Sequence, residues 1–251
     1  MKIVVGIPVR MGSTRFPGKP LCNILGKPMI EHVYKRSKLS DKATEVFAAA
    51  CDKEIKDVVE NFGGKVYMTP KEISRPCLRV AEACKQMDLD DDDVVVVVQG
   101  DEPMVHPKMI DLAVEAFLKE KDALCVNLAA DMTEEEWNDP NEIKVVTDLN
   151  MNAIYMSRNP IPSNTRNRIG PRIKQVCIMP FTKKSLLYYQ SLPPTPLEIA
   201  ESIELLRALE HGQKIHIVKT DFINKSVDTE SDRKAVEELM KKDEIYKKYG
   251  Y

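Results

Sequence analysis

The stretch Val94–Val98 is five consecutive valines. Branched side chains at Cβ favour extended backbone, and an apolar run that does not alternate needs cover on both faces. Such a strand belongs inside a sheet that has helices on either side. The rest of the first half is punctuated to match. Lys2–Pro8, Val46–Ala50, Lys65–Met68 and Ala123–Leu128 read as further strands. Between them Pro28–Leu39, Glu54–Phe62, Leu78–Met87 and Pro107–Glu120 have apolar residues at helical spacing. Strands alternating with helices pair in parallel through right-handed crossovers. The expected fold is therefore α/β: a mostly parallel, doubly wound, Rossmann-like sheet with helices on both faces and a smaller α+β arm.

The arm is expected from about Asn127–Asn138 onward, within a single domain of 251 residues. Ile143–Thr147 and Ala153–Met156 read as strands around the turn Asp148-Leu149-Asn150. Arg158–Arg172 is rich in Pro, Asn and Arg and reads as a loop, and Val176–Phe181 is another apolar run. Pro196–His211 has the pattern of one amphipathic helix, Lys214–Lys219 of a strand, and Ser231–Lys241 of a closing helix.

Some function classes are already disfavoured. Lys and Arg number 37 and Asp and Glu 39, a net charge of −2, so a nucleic-acid partner is not expected. The six cysteines form no Cys-x-x-Cys and no cluster with His at zinc spacing, which reads as reduced thiols in a cytoplasmic protein. The apolar run at the start is too short to cross a membrane and has no small-residue cleavage site after it.

In parallel sheets ligands lie beyond the carboxyl ends of the strands. That rule selects two loops. The first, Arg10–Pro20, carries Arg10, Arg15 and Lys19 with Gly12, Gly18, Ser13 and Thr14. Glycines let backbone N–H groups approach an anion, and Arg and Lys donate charge-assisted hydrogen bonds to phosphate oxygens. The spacing is not that of a P-loop: five residues separate the glycines, and Pro20 follows Lys19. A solvated basic loop is the alternative reading. The second loop, Gln99-Gly100-Asp101-Glu102-Pro103, ends the valine strand in two carboxylates. Unpaired charge is costly there, and Mg²⁺, which takes one or two carboxylates together with phosphate oxygens, is the natural partner of Asp101. Asp228, before the closing helix, is a candidate second ligand, although an Asp at that place is commonly a helix cap. His32 and His106 are expected to be structural or solvated.

These stretches resemble a known family. Arg10-x-Gly-Ser-Thr-Arg15-x-Pro-Gly-Lys19-Pro-Leu21, Gly26-Lys27-Pro28-Met29-Ile30, Gln99-Gly-Asp101-Glu-Pro103, Asp139-Pro140-Asn141 through Lys144, Tyr155-Met156-Ser157-Arg158, Thr195-Pro196-Leu197-Glu198 through Arg207, and Val227-Asp228-Thr229 are similar, in order, to the 3-deoxy-manno-octulosonate cytidylyltransferases, the CMP-Kdo synthetases. The resemblance implies transfer of CMP from CTP to a sugar acid with release of pyrophosphate, Mg²⁺ as cofactor, a homodimer, and a place in surface-glycan synthesis. It implies nucleotide binding by about residues 1–130, through Pro8, Arg10, Gly12, Ser13, Arg15, Lys19, Ser74, Arg79 and Gln99. Asp101 and Asp228 would hold the metal, with Lys19 and Arg15 acting on the leaving group. Acceptor binding would fall to Gln99, Arg158, Gln175 and Glu204, mostly within about 131–230, where Ile199, Ile203 and Leu206 suit either a subunit contact or a core.

The sugar-facing stretches depart from that family. Ser74-Arg75-Pro76-Cys77-Leu78-Arg79 stands for a Ser-Gly-Thr-acid-Arg stretch, Gln175 for a histidine, and Glu204-Leu205 for a Glu-Gln pair. A site built to hydrogen-bond one group rejects analogues that lack it. The acceptor is thus expected to be a modified ulosonic acid, or a smaller carboxylate or phosphonate, with Arg79, Arg158, Arg166, Arg168 and Arg172 as candidate anion contacts. A non-catalytic nucleotide binder and a transferase using another nucleoside triphosphate are the rival readings.

Overall fold

The valine strand is the centre of the fold. The computed structural model describes residues 1–13, 16–163, 166, 171–222 and 225–250. In chain order the strands are β1 (Ile3–Val9), β2 (Asn23–Ile24), β3 (Lys27–Pro28), β4 (Glu45–Ala50), β5 (Lys65–Met68), β6 (Val94–Val98), β7 (Cys125–Asp131), β8 (Lys144–Thr147), β9 (Ala153–Ser157), β10 (Ile173–Val176), β11 (Ile178–Thr182) and β12 (Ile215–Lys219). The helices are α1 (Met29–Ser37), α2 (Lys53–Asn61), α3 (Pro76–Cys84), α4 (Pro107–Phe117), α5 (Glu134–Asn138), α6 (Lys183–Ser191), α7 (Pro196–Glu201), α8 (Leu206–Glu210), α9 (Glu230–Met240) and α10 (Glu244–Lys247).

One sheet runs β11-β6-β1-β4-β5, and all of its pairs are parallel except β11 with β6. Val94, Val96 and Val98 pack with Ile30, Val33 and Ile110, from α1 and α4. Val95 and Val97 pack on the other face with Val80 and Leu186, from α3 and α6. All five are buried, each worth about 1.5–3 kcal/mol relative to exposure. The two-sided cover that the run demanded is therefore present.

The second sheet, β12-β7-β10-β8-β9, is mixed: β12 is parallel to β7, and the other pairs are antiparallel. The run Val176–Phe181 is divided between the sheets. β10 pairs with β7, β11 pairs with β6, and Cys177 lies at the changeover.

The expected helix Pro196–His211 is broken. Ser202 takes a left-handed conformation (φ 52°), separating α7 from α8. The break folds Glu198 back onto Arg207, with Arg207 Nε 2.7 Å from Oε2 and Nη2 2.8 Å from Oε1. In a continuous helix those residues would be about 13 Å apart along the axis. Arg75 Nε also reaches Glu198, at 3.0 Å. A bidentate pair with both partners buried is favourable only when it is fully bonded, and the reversal achieves this. Ile203 and Leu206 thereby join the core, whereas Ile199 remains exposed, so the three do not form one face. Helix α6, which begins at a Thr182 capping box, was not legible as a separate element. Among the described residues no helix is long and apolar enough to cross a membrane.

Candidate active site

β1 and β6 are adjacent and parallel, so the loops that follow them leave the sheet side by side. They pass very close to each other. A Cβ on Gly100 would lie 2.9 Å from the Pro8 carbonyl oxygen, so only glycine lets the acidic loop rest on the end of β1. Gly18, at φ 71°, turns the basic loop into a short 3₁₀ turn, Lys19–Leu21. That turn carries Lys19 over the acidic loop.

Lys19 Nζ lies 2.8 Å from Asp101 Oδ2 and 3.1 Å from Asp228 Oδ1. These residues are distant in sequence and meet around one ammonium. A backbone bond from Val227 N–H to the Asp101 carbonyl (2.9 Å) ties the two acidic segments together. The cap of α9 is Thr229, whose hydroxyl accepts from Asp232 N–H, so the Asp228 carboxylate is left to face Lys19. Burial disfavours the Lys19 charge, but the two carboxylates outweigh it and hold its pKa above the ordinary lysine value. Lys19 is a cation at neutral pH.

The carboxylates suit a hard divalent cation. They converge on a point already chosen by one positive charge, and both supply oxygen ligands. Among the described residues no group of three His, Cys, Asp or Glu has metal-binding geometry. A cation held by this pair would take its remaining ligands from water and substrate phosphate, as Mg²⁺ does.

Two cavities meet at this point. The first, of about 340 Å³, is lined by Pro8, Arg10, Gly12, Ser13, Lys19, Ser74, Arg79, Gln99 and Asp101. Every expected nucleotide residue is there except Arg15, which lies outside the described residues. The Arg79 guanidinium is nevertheless turned into the protein, donating to Thr69 Oγ1 (2.5 Å) and to the Pro70 and Ile73 carbonyls. It braces the segment leading to Ser74.

The second cavity, of about 260 Å³, shares Pro76, Gln99 and Asp101 with the first. Gln99, Arg158, Gln175 and Glu204 all line it, with Asp228. Most of its polar wall is internally bonded. Arg158 donates to the Pro140, Asn141, Glu201 and Ser202 carbonyls. Both Glu204 oxygens accept from Cys77 N–H (2.9 and 3.1 Å) at the start of α3, where the helix dipole favours negative charge. Burial still pushes the Glu204 pKa up. Burial, reinforced by Glu102 and Asp101, holds the Cys177 thiol neutral on the same wall.

Some expected contacts lie elsewhere. Arg172 pairs with Glu134 and stacks over Trp137, 5.3 Å from the ring centroid. It does not line the cavity, and neither does Arg166. Arg168 falls outside the described residues. His32 is buried between the Ile24 carbonyl and the Tyr249 hydroxyl, and His106 caps α4 by accepting from Lys108 N–H. Both are structural. Arg75, Glu102 and Glu142 line the second cavity without having been singled out as acceptor residues. A charged residue beside Pro76 in a stretch that departs from its family was the available signal for Arg75. Lys144 is a buried staple, bonded to the Asp139, Glu142 and Arg158 carbonyls.

Parallel strands thus deliver a basic and an acidic loop to one cleft, an arrangement suited to nucleotidyl transfer. A family model described as Cytidylyltransferase matches residues 4–215, and the chain belongs to that family. It is a CTP-dependent nucleotidyltransferase. An 8-amino-3,8-dideoxy-manno-octulosonate cytidylyltransferase of Shewanella piezotolerans is 42% identical over 234 residues, 92% of this chain and 96% of its own. The solved structure of a CMP:2-keto-3-deoxy-manno-octonic acid synthetase complexed with CTP is 32% identical, with a TM-score of 0.89 over 96% of this chain and 99% of its own. A cytidylyltransferase structure from Leptospira borgpetersenii, 17% identical with a TM-score of 0.66 over 97% of this chain and 88% of its own, shares the fold.

Proposed function

We propose that this chain transfers CMP from CTP to an ulosonic acid carrying an amino group, of the 8-amino-3,8-dideoxy-manno-octulosonate type, and releases pyrophosphate. One observation carries this reading. The cationic first cavity meets, at Asp101, a second cavity whose lining includes five acidic residues, Asp101, Glu102, Glu142, Glu204 and Asp228. A polyphosphate suits the first, and an acceptor with a protonated amine suits the second. The 42% identical relative bears the name of such an acceptor. The modified ulosonic acid thus takes precedence over the smaller carboxylate or phosphonate.

In this reading, Arg10 and Lys19, with the backbone around Gly12 and Ser13, bind the triphosphate, and Arg15 joins them. Lys19 stabilises charge that grows on the leaving pyrophosphate. The acceptor hydroxyl forms a bond to the α-phosphorus, the bond from that phosphorus to the bridging oxygen breaks, and the hydroxyl proton passes to solvent. Asp101 and Asp228 would hold Mg²⁺, which when bound would offset charge on the triphosphate and make the hydroxyl more acidic. Gln99 stands between the cavities, and Arg75 and Arg158 supply positive potential for the acceptor carboxylate. Residues of about 1–130 serve mainly the nucleotide and those of about 131–230 mainly the acceptor, in a cytoplasmic homodimer.

The test is pyrophosphate release from CTP, UTP or ATP with Mg²⁺ across a panel of 8-amino and unmodified ulosonic acids, smaller carboxylates and phosphonates. Release with CTP and the 8-amino acid, lost on chelation, is expected. Turnover of only the unmodified acid, or of none, overturns the acceptor assignment.

A further inference from the structure

Asn127 is a fully buried amide in the middle of β7, among otherwise apolar neighbours. Such a group stays in a core only when its hydrogen bonds are made. Its Nδ2 donates to the Leu128 carbonyl. A carbonyl can only accept, so that bond fixes the orientation of the Asn127 amide. Oδ1 is then left facing β10, where it accepts from Gln175 Nε2 at 2.9 Å. The orientation is thereby handed on. Gln175 must offer Asn127 its nitrogen, and its oxygen Oε1 has no protein partner among the described residues. Gln175 lines the second cavity.

We propose that Asn127 is a positioning residue for acceptor choice: through Gln175 it fixes a hydrogen-bond acceptor on the cavity wall, which favours a substrate bearing a primary ammonium over one bearing a hydroxyl. This rests on the amino-acceptor reading above. An ammonium has three donors and no acceptor, so a wall of acceptors satisfies it. A hydroxyl has one donor, and its lone pairs would face oxygen lone pairs. Were the Gln175 amide free to turn, its nitrogen would face the cavity, and an N–H is matched to a hydroxyl and opposed to an ammonium. No titration is involved, and neither Asn127 nor Gln175 touches the reacting phosphorus.

The experiment compares kcat/KM for 8-amino-3,8-dideoxy-manno-octulosonate and 3-deoxy-manno-octulosonate in the wild type, Asn127→Leu, Gln175→Leu and the double variant. In the wild type the amino acid is preferred. Asn127→Leu lowers that preference on the order of tenfold, the scale of a lost hydrogen bond to a charged group. The loss falls in KM for the amino acid, and KM for CTP is unchanged. The double variant is no worse than Gln175→Leu alone, because the two residues act as one unit. Should the leucine at 127 not fold, Asn127→Ser, too short to reach Gln175, is read in the same way and is expected to show the same loss. An unchanged preference in a folded Asn127 variant overturns the proposal, as does an equal loss for both acceptors or a multiplicative loss in the double variant. A wild type that does not prefer the amino acid breaks the underlying acceptor reading instead, and is recognised before any variant is made.

Discussion

The two cavities of this protein are adjacent and differ in construction. The first is built mainly from two loops at the ends of neighbouring parallel strands, and its key side chains face one another directly. The second collects residues from the loop after β6, the start of α3, the segments before β8 and after β9, β10, β11, the α7–α8 break and the segment before α9, and its polar groups are held mostly by other parts of the chain. The first gets its chemistry from the topology of one sheet. The second gets it from irregularities: a strand that changes sheets at Cys177 and a helix reversed at Ser202. A cationic cleft can thus be encoded in loops next to one another in a sheet, whereas the wall of the second cavity needs long-range agreement.

Perturbing each cavity separately tests that contrast. The largest effect is expected for Asp101→Asn, which removes a charge from the meeting point: turnover should fall by about 10³-fold or more with the fold intact. Near-normal rates with an unchanged circular dichroism spectrum would remove Asp101 from the chemistry. Next is Arg207→Met, which leaves Glu198 buried beside Arg75 alone. Breaking a buried pair costs about 3–5 kcal/mol. Denaturant unfolding should show that loss, and KM for the acceptor should rise more than KM for CTP. An equal rise in both would mean that the cavities are not separable in this way.

The third test concerns pH. Burial lowers the His32 pKa to about 4 from an ordinary 6.5. Between those values the unfolded chain binds more protons than the folded one, so stability rises with pH. The contribution is fully present above 6.5 and is lost as pH falls towards 4, on the order of 3 kcal/mol in all. His32→Gln should flatten the pH dependence of unfolding free energy in that window; an unchanged slope would assign the acid lability to other groups. The smallest effect is expected for Gly100→Ala, which presses a methyl on the Pro8 carbonyl. Separating the loops should cost about 1–3 kcal/mol of stability or transition-state binding, read in thermal unfolding and in KM for CTP. A variant equal to wild type in both would show that the loops yield without consequence.

Legibility followed the same division. Val94–Val98 announced a strand covered on two faces, and Arg10–Pro20 and Gln99–Met104 were placed at the cleft by the parallel-sheet rule alone. Local composition carried that information. Asp228 was harder, because its place beside Lys19 depends on Thr229 taking the cap and on a backbone bond from Val227 to Asp101, neither visible in a three-residue window. The break in Pro196–His211 was hidden because its apolar spacing is helical on both sides, and the energy that favours the reversal comes from a Glu198–Arg207 contact that periodicity does not report. The division of Val176–Phe181 was hidden likewise, since an apolar run does not say which sheet each half joins. Asn127 has no sequence signal beyond being a polar residue inside a strand.

The placement of Lys19 settles the charge balance of the two acids beside it. Two like-charged acids seated close together would repel by several kcal/mol in a poorly screened pocket, and here a tethered counter-ion quiets them before any visitor arrives. On the proposed function, an incoming triphosphate would be an exchange partner: it would draw the ammonium towards its own oxygens and, in doing so, uncover the two acids. The same ammonium that balances the acids would then be the group the substrate recruits.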